Sequence, residues 1–122
     1  MGRSDSVILT KKLIITSQRP ILEDEFIKKI TDLSYKLINF LNDNGCEELG
    51  HIKFIATTDG EDYLQVSISD CKEQPKIKGF LRKTFNKIST TLNIIEFGVD
   101  KNSISRKIDE EFLYVQSYFN NS

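Results

Sequence analysis

The side chains best suited to nucleophilic or metal chemistry in this chain are two cysteines and one histidine, Cys46, Cys71 and His51. They bracket the stretch GHIKFIATTDGEDYLQVSISD, residues 50–70, whose alternation reads as one β-hairpin. In an antiparallel pair the first residues of one strand lie beside the last residues of the next. That geometry brings Cys46, Glu47, Glu48 and His51 toward Asp70 and Cys71. Thiolates, imidazole and carboxylates are the ligand types of zinc, and a Cys–His pair can activate a thiolate. A metal- or thiol-dependent enzyme at Cys46, His51 and Cys71 is therefore one reading. The spacing matches no metal motif, however, and a thiol at a strand end is ordinarily an inert packing residue. The expectation is no cofactor, with a Cys46–Cys71 bridge as a lesser alternative.

A second set is cationic. The run KEQPKIKGFLRKTFNK supplies Lys72, Lys76, Lys78, Arg82, Lys83 and Lys87 against Glu73 alone. A basic face of this kind can hold phosphates, so nucleic-acid binding through Lys76, Lys78, Arg82, Lys83 and Lys87 is the next reading. The balance of the whole chain opposes it: 17 Lys and Arg face 18 Asp and Glu, without the global basic excess of most phosphate binders. Third, Asp59, Glu61 and Asp62 cluster at the hairpin tip in an order that fits no calcium loop; a polar turn explains them. Fourth, Phe112, Tyr114, Tyr118 and Phe119 crowd the C-terminal segment. They exceed what one core-facing stripe needs, and aromatic residues are favoured at interfaces, so these four are the expected partner-binding residues.

Several enzyme classes are missing their signatures. There is no Gly-rich phosphate loop, no GxSxG elbow, no HExxH and no CxxC.

These side chains must be positioned by a single α+β domain of 122 residues, 39% hydrophobic and 29% charged. The polar ends, 1–6 and 120–122, are expected to be loose. VILTKKLIITS, Val7 to Ser17, is β-branched and reads as a strand that Pro20 ends. From Leu22 to Asp43 the apolar residues Leu22, Phe26, Ile30, Leu33, Leu37 and Leu41 recur at helical spacing, with Gly45 just past the end. In the hairpin a three-residue loop, Thr58 to Gly60, places Phe54 opposite Leu64 and Ile52 opposite Val66. One side is then apolar, and the other carries His51, Lys53, Tyr63, Gln65 and Ser67, with Ile55 the exception. Ile77, Phe80, Leu81, Phe85, Ile88 and Leu92 form a stripe that predicts a helix over 76–92. NIIEFGV follows as a short strand, and Asn102 or Ser103 caps a last helix.

The order β-α-β-β-α-β followed by a helix predicts a ferredoxin-like sandwich, a four-stranded antiparallel sheet with two helices on one face. Such a sheet leaves a second face that a last helix, a second subunit or a ligand must cover. RNA-recognition motifs share this strand order, but their stacking aromatics sit on the two central strands. VILTKKLIITS has none, and YLQVSIS offers only Tyr63. The leading expectation is thus a non-catalytic interaction or regulatory domain, a homodimer, acting through the sheet face and the C-terminal helix. No stretch approaches the ~20 apolar residues of a membrane helix and the start lacks a signal-peptide core, so no membrane contact and a cytoplasmic location are expected.

Overall fold

The computed structural model describes residues 6–70 and 72–120. The chain runs β1 (Ser6–Leu22), α1 (Glu23–Asp43), β2 (Glu48–Thr57), β3 (Tyr63–Ile68), β4 (Lys76–Phe80), β5 (Thr84–Phe97) and α2 (Lys101–Asn120). The five strands form one sheet in the order β1-β5-β2-β3-β4, and each neighbouring pair is antiparallel. This is an α+β architecture with two helices, but not the four-stranded ferredoxin-like sandwich expected from the sequence.

The difference originates in residues 76–92, which form β4, a short crossing segment and the first half of β5 in place of a helix. Two features decide against the helix. Gly79 sits at φ +83°, and a Cβ built there would meet the Tyr63 carbonyl oxygen, so this backbone belongs to a close strand pair. From Thr84 onward the segment is rich in Thr and Ile, whose branched side chains favour strands. Ile88, Thr90, Leu92, Ile94 and Glu96 alternate inward along β5. Of the strand expected at 93–99, residues 93–97 are the last part of this longer strand, and Gly98 and Val99 lie beyond its end.

The central hairpin keeps the predicted faces but shifts its register by two residues: Phe54 pairs with Val66, Ile52 with Ile68 and Ala56 with Leu64. Residues 58–62 form the connection, stitched by Asp62. Its carboxylate accepts from the Thr58 backbone N–H at 2.9 Å and from the Thr58 and Thr57 hydroxyls at 2.6 and 3.2 Å. An even shift leaves every side chain on its original face, because the strand period is two.

β1 extends past Pro20, which the sequence placed beyond its end. It is an edge strand, and its pairing with β5 is irregular between Thr16 and Ile21. A proline that cannot donate to a ladder is tolerated there. The α1 helix follows its predicted bounds closely, with Glu23, Asp24 and Glu25 in its first turn where the helix dipole favours carboxylates. In α2 the cap is Asp100, not Asn102 or Ser103: its Oδ2 accepts from the Ser103 backbone N–H at 3.1 Å. Of the ends expected to be loose, Ser6 opens β1 and Asn120 closes α2; 1–5 and 121–122 lie outside the described residues.

Both helices lie on one side. Phe26, Ile30, Leu33, Leu37 and Leu41 of α1 join Ile104, Ile108, Phe112, Val115 and Phe119 of α2 in a single cluster. The inward residues of the sheet, among them Leu13, Ile15, Phe54, Val66 and Leu92, complete it. The opposite side of the sheet carries no element among the described residues.

Candidate functional site

The Cys46 thiol and the His51 imidazole are not on the same face of the sheet. Cys46 packs partly buried against the core, and its thiol is hydrogen-bonded to the Glu96 carboxyl. Glu96 is fully buried and also accepts from the Val99 backbone N–H at 3.1 Å. Burial pushes its pKa above the ordinary carboxylate value, a shift that bonds from Val99 and Cys46 partly oppose. His51 lies on the other face. Leu49 pairs with Glu96 and His51 with Ile95, so Gly50 is an extra residue between the two pairs. Burial and then Lys53 hold the His51 pKa below its usual value. Cys71 lies outside the described residues. Among the described residues no three His, Cys, Asp or Glu side chains are grouped to hold a metal ion.

The C-terminal aromatics divide. Phe112 and Phe119 point into the core, at 6% and 0% exposure, because Ile104, Ile108, Phe112, Val115 and Phe119 share one helical face. Tyr118 clamps α2 to α1: its hydroxyl donates to the Glu25 carboxylate at 2.8 Å, and the Lys29 ammonium sits 3.7 Å from its ring centre. Arg19 holds the same carboxylate through two bonds, of 2.9 and 2.7 Å. Of the four, Tyr114 alone is mainly exposed, at the rim of a groove between the helices.

The uncovered sheet face is where the remaining features meet. Strand pairing lines up its outward residues in rows. One row runs Lys76, Ser67, Lys53, Asn93, Thr10, and the next Lys78, Gln65, Ile55, Thr91, Lys12. Lys87 opposes Thr16 on the same face, and Ile8 and Ile14 lie along its β1 edge. Five lysines thus share a surface whose one outward strand carboxylate among the described residues, Glu48, lies at the far end opposite Phe97. Among the described residues the other carboxylates lie on the helices, turns and loops or, at Glu96, face the core, which is how a chain of net charge −1 acquires a basic face. Of the predicted basic set, Lys76, Lys78 and Lys87 belong here. Arg82 is instead ion-paired with Asp59, and Lys83 lies in the crossing segment. Lys12 and Lys53 are brought in by register from β1 and β2, outside the basic run of residues 72–87.

At one end of this face lies a cleft of about 410 Å³ lined by Asp59, Glu61, Asp62, Tyr63, Gly79, Phe80 and Arg82. Phe80 and Tyr63 are a cross-strand pair, 75% and 48% exposed. A helix over 76–92 would turn Phe80 inward, whereas in β4 it faces outward. The carboxylates around the cleft are mostly engaged. Asp59 pairs with Arg82, and Asp62 takes the Arg82 backbone N–H at 3.1 Å as well as its threonine donors. Burial alone would raise the Asp62 pKa, but these bonds outweigh it and hold the group below its usual value.

No known protein family matches this chain, and neither does any curated protein or solved structure. No helix among the described residues is long and apolar enough to cross a membrane.

Proposed function

We propose that this protein is a non-catalytic binding domain that takes an anionic partner on the uncovered face of its sheet. One observation carries the reading: Lys12, Lys53, Lys76, Lys78 and Lys87 project from one face, and the helices pack on the other. Clustered lysines raise the local potential and draw anions from solution. The exposed Ile55, Tyr63 and Phe80 among them give a partner apolar contact as well.

Retention on a heparin column tests this. The triple variant Lys53→Glu, Lys76→Glu, Lys78→Glu is expected to lose retention. A control with the same charge change on the helical side, Lys28→Glu, Lys101→Glu, Arg106→Glu, is expected to elute nearer the wild-type salt. Equal losses in the two variants overturn the reading.

A second copy of the chain is the competing partner, favoured by the length of the β1 edge, 17 residues with an unpaired side. Stacking two sheets face to face would oppose lysines, so a dimer would form by extending the sheet at this edge. Light scattering at increasing concentration distinguishes a constant monomer mass from a rise to twice that mass.

A further inference from the structure

We infer that the anionic partner is a single strand of nucleic acid, with a base held in the cleft of Tyr63 and Phe80 and phosphates on Lys53, Lys76 and Lys78. The inference rests on the sheet-face reading and deepens it.

Three features of the face converge on this ligand. First, the lysines lie at strand geometry. Lys76 and Lys78 are two residues apart on β4, about 7 Å, and Lys53 lies two strands away from Lys76, about 10 Å. These spans correspond to two or three nucleotides of a stacked strand at about 3.4 Å each. Secondly, Phe80 has the greatest exposure among the large hydrophobic residues described and stands beside Tyr63 at the end of the lysine rows. An exposed aromatic pair next to cations is a stacking platform for unpaired bases, whose faces are hidden inside a duplex. Thirdly, the cleft repels phosphate. Asp59 is neutralised by Arg82, and Asp62 is occupied by hydrogen bonds. Glu61 makes no ion pair among the described residues, so no cation offsets its carboxylate at the cleft wall. Backbone is driven toward the lysines, and the less charged base is left to fill the aromatic space.

The attraction is electrostatic and the discrimination comes from stacking, so the two respond to different substitutions. Removing a lysine that contacts phosphate lowers the salt slope by about 0.7 for a single strand. Removing a stacking ring lowers affinity without changing that slope.

The experiment is fluorescence anisotropy of a labelled mixed-sequence single strand at low salt. Its comparators are the matching duplex, phosphatidylserine vesicles and heparin retention. The wild-type chain is expected to bind the single strand more tightly than the duplex or the vesicles. Tyr63→Ala and Phe80→Ala are each expected to weaken single-strand binding about tenfold and to leave heparin elution unchanged. Both side chains are exposed, and circular dichroism verifies that the variants fold. Single-strand affinity that is unmoved by the aromatic variants overturns the inference, as does tighter binding to duplex or vesicles. If the wild-type chain ignores single strands yet is retained on heparin through the sheet lysines, the inference fails and the broader sheet-face reading stands.

Discussion

Gly98 and Gly45 meet where the turn after β5 passes the loop after α1, and substituting each with alanine separates two physical costs. Gly98 has φ +118° and Gly45 has φ +95°, so an added side chain is strained at either position. Holding an ordinary residue in a sparsely populated backbone region costs about 1–3 kcal/mol, offset by roughly 0.4–1 kcal/mol from stiffening the unfolded chain. Surroundings then distinguish the two. A Cβ at Gly45 meets nothing within 4 Å, but one at Gly98 would collide with the Gly45 carbonyl oxygen and lie 2.8 Å from the Glu47 backbone nitrogen. Both are backbone atoms, which cannot swing aside as a side chain does. Glu47 is further tied by its N–H to the Phe97 carbonyl at 2.7 Å. Forcing atoms into a packed site costs about 1–3 kcal/mol more. Gly45→Ala should therefore lose about 1–2 kcal/mol and Gly98→Ala about 2–5 kcal/mol, a large part of a typical 5–15 kcal/mol stability. Urea denaturation followed by circular dichroism measures both, with the m-value as the check on two-state behaviour. Losses that agree within about 0.5 kcal/mol would refute the close approach, and with it the packing that sets Cys46 against Glu96.

Other consequences follow from burial and charge. Phe119→Ala should cost about 3–5 kcal/mol by emptying a core site, whereas Tyr114→Ala should stay within about 0.5 kcal/mol; equal costs in urea melts would contradict the division of the C-terminal aromatics. Glu96 has a raised pKa in the folded chain, so the folded state binds its proton more tightly than the unfolded state does. Stability should then fall as pH rises from the ordinary carboxylate value through the raised one, and Glu96→Gln should flatten that part of the profile. Parallel profiles for the two proteins would contradict it. Asp62→Ala removes the acceptor of bonds from Thr57, Thr58 and Arg82. It should cost about 1–3 kcal/mol and speed amide exchange at Thr58 and Arg82, and unchanged exchange there would show that the tip is held otherwise.

What the sequence revealed depended on whether a local period was unbroken. In α1 the residues from Phe26 to Leu41 repeat at helical spacing and the helix stands close to its predicted ends. In the central hairpin the alternation fixed the faces, but not the register, because nothing local reveals that Asp62 ties residues 58–62 into the connection. The stretch after Pro75 misled for a physical reason. Ile88 and Leu92 suit a helix by their four-residue spacing and a strand by their even spacing, and Thr90 and Glu96 interrupt the apolar alternation between and after them. Partners far along the chain resolve the choice: Leu92 pairs with Lys11 and with Phe54. The candidate face was hidden for the same reason. Lys12, Lys53 and Lys78 have no sequence proximity, and only the order β1-β5-β2-β3-β4 sets them on one surface. Conversely, Cys46 and His51 are close in sequence, yet the extra residue at Gly50 separates them to opposite faces.

The most direct measurement is an amide chemical-shift titration of the isotope-labelled chain with a short single-stranded oligonucleotide at low salt. Saturable shifts are expected, concentrated at Lys53, Ile55, Tyr63, Gln65, Lys78 and Phe80, with α1 and α2 silent. Shifts confined to the two helices, or no shifts at all, would contradict that expectation.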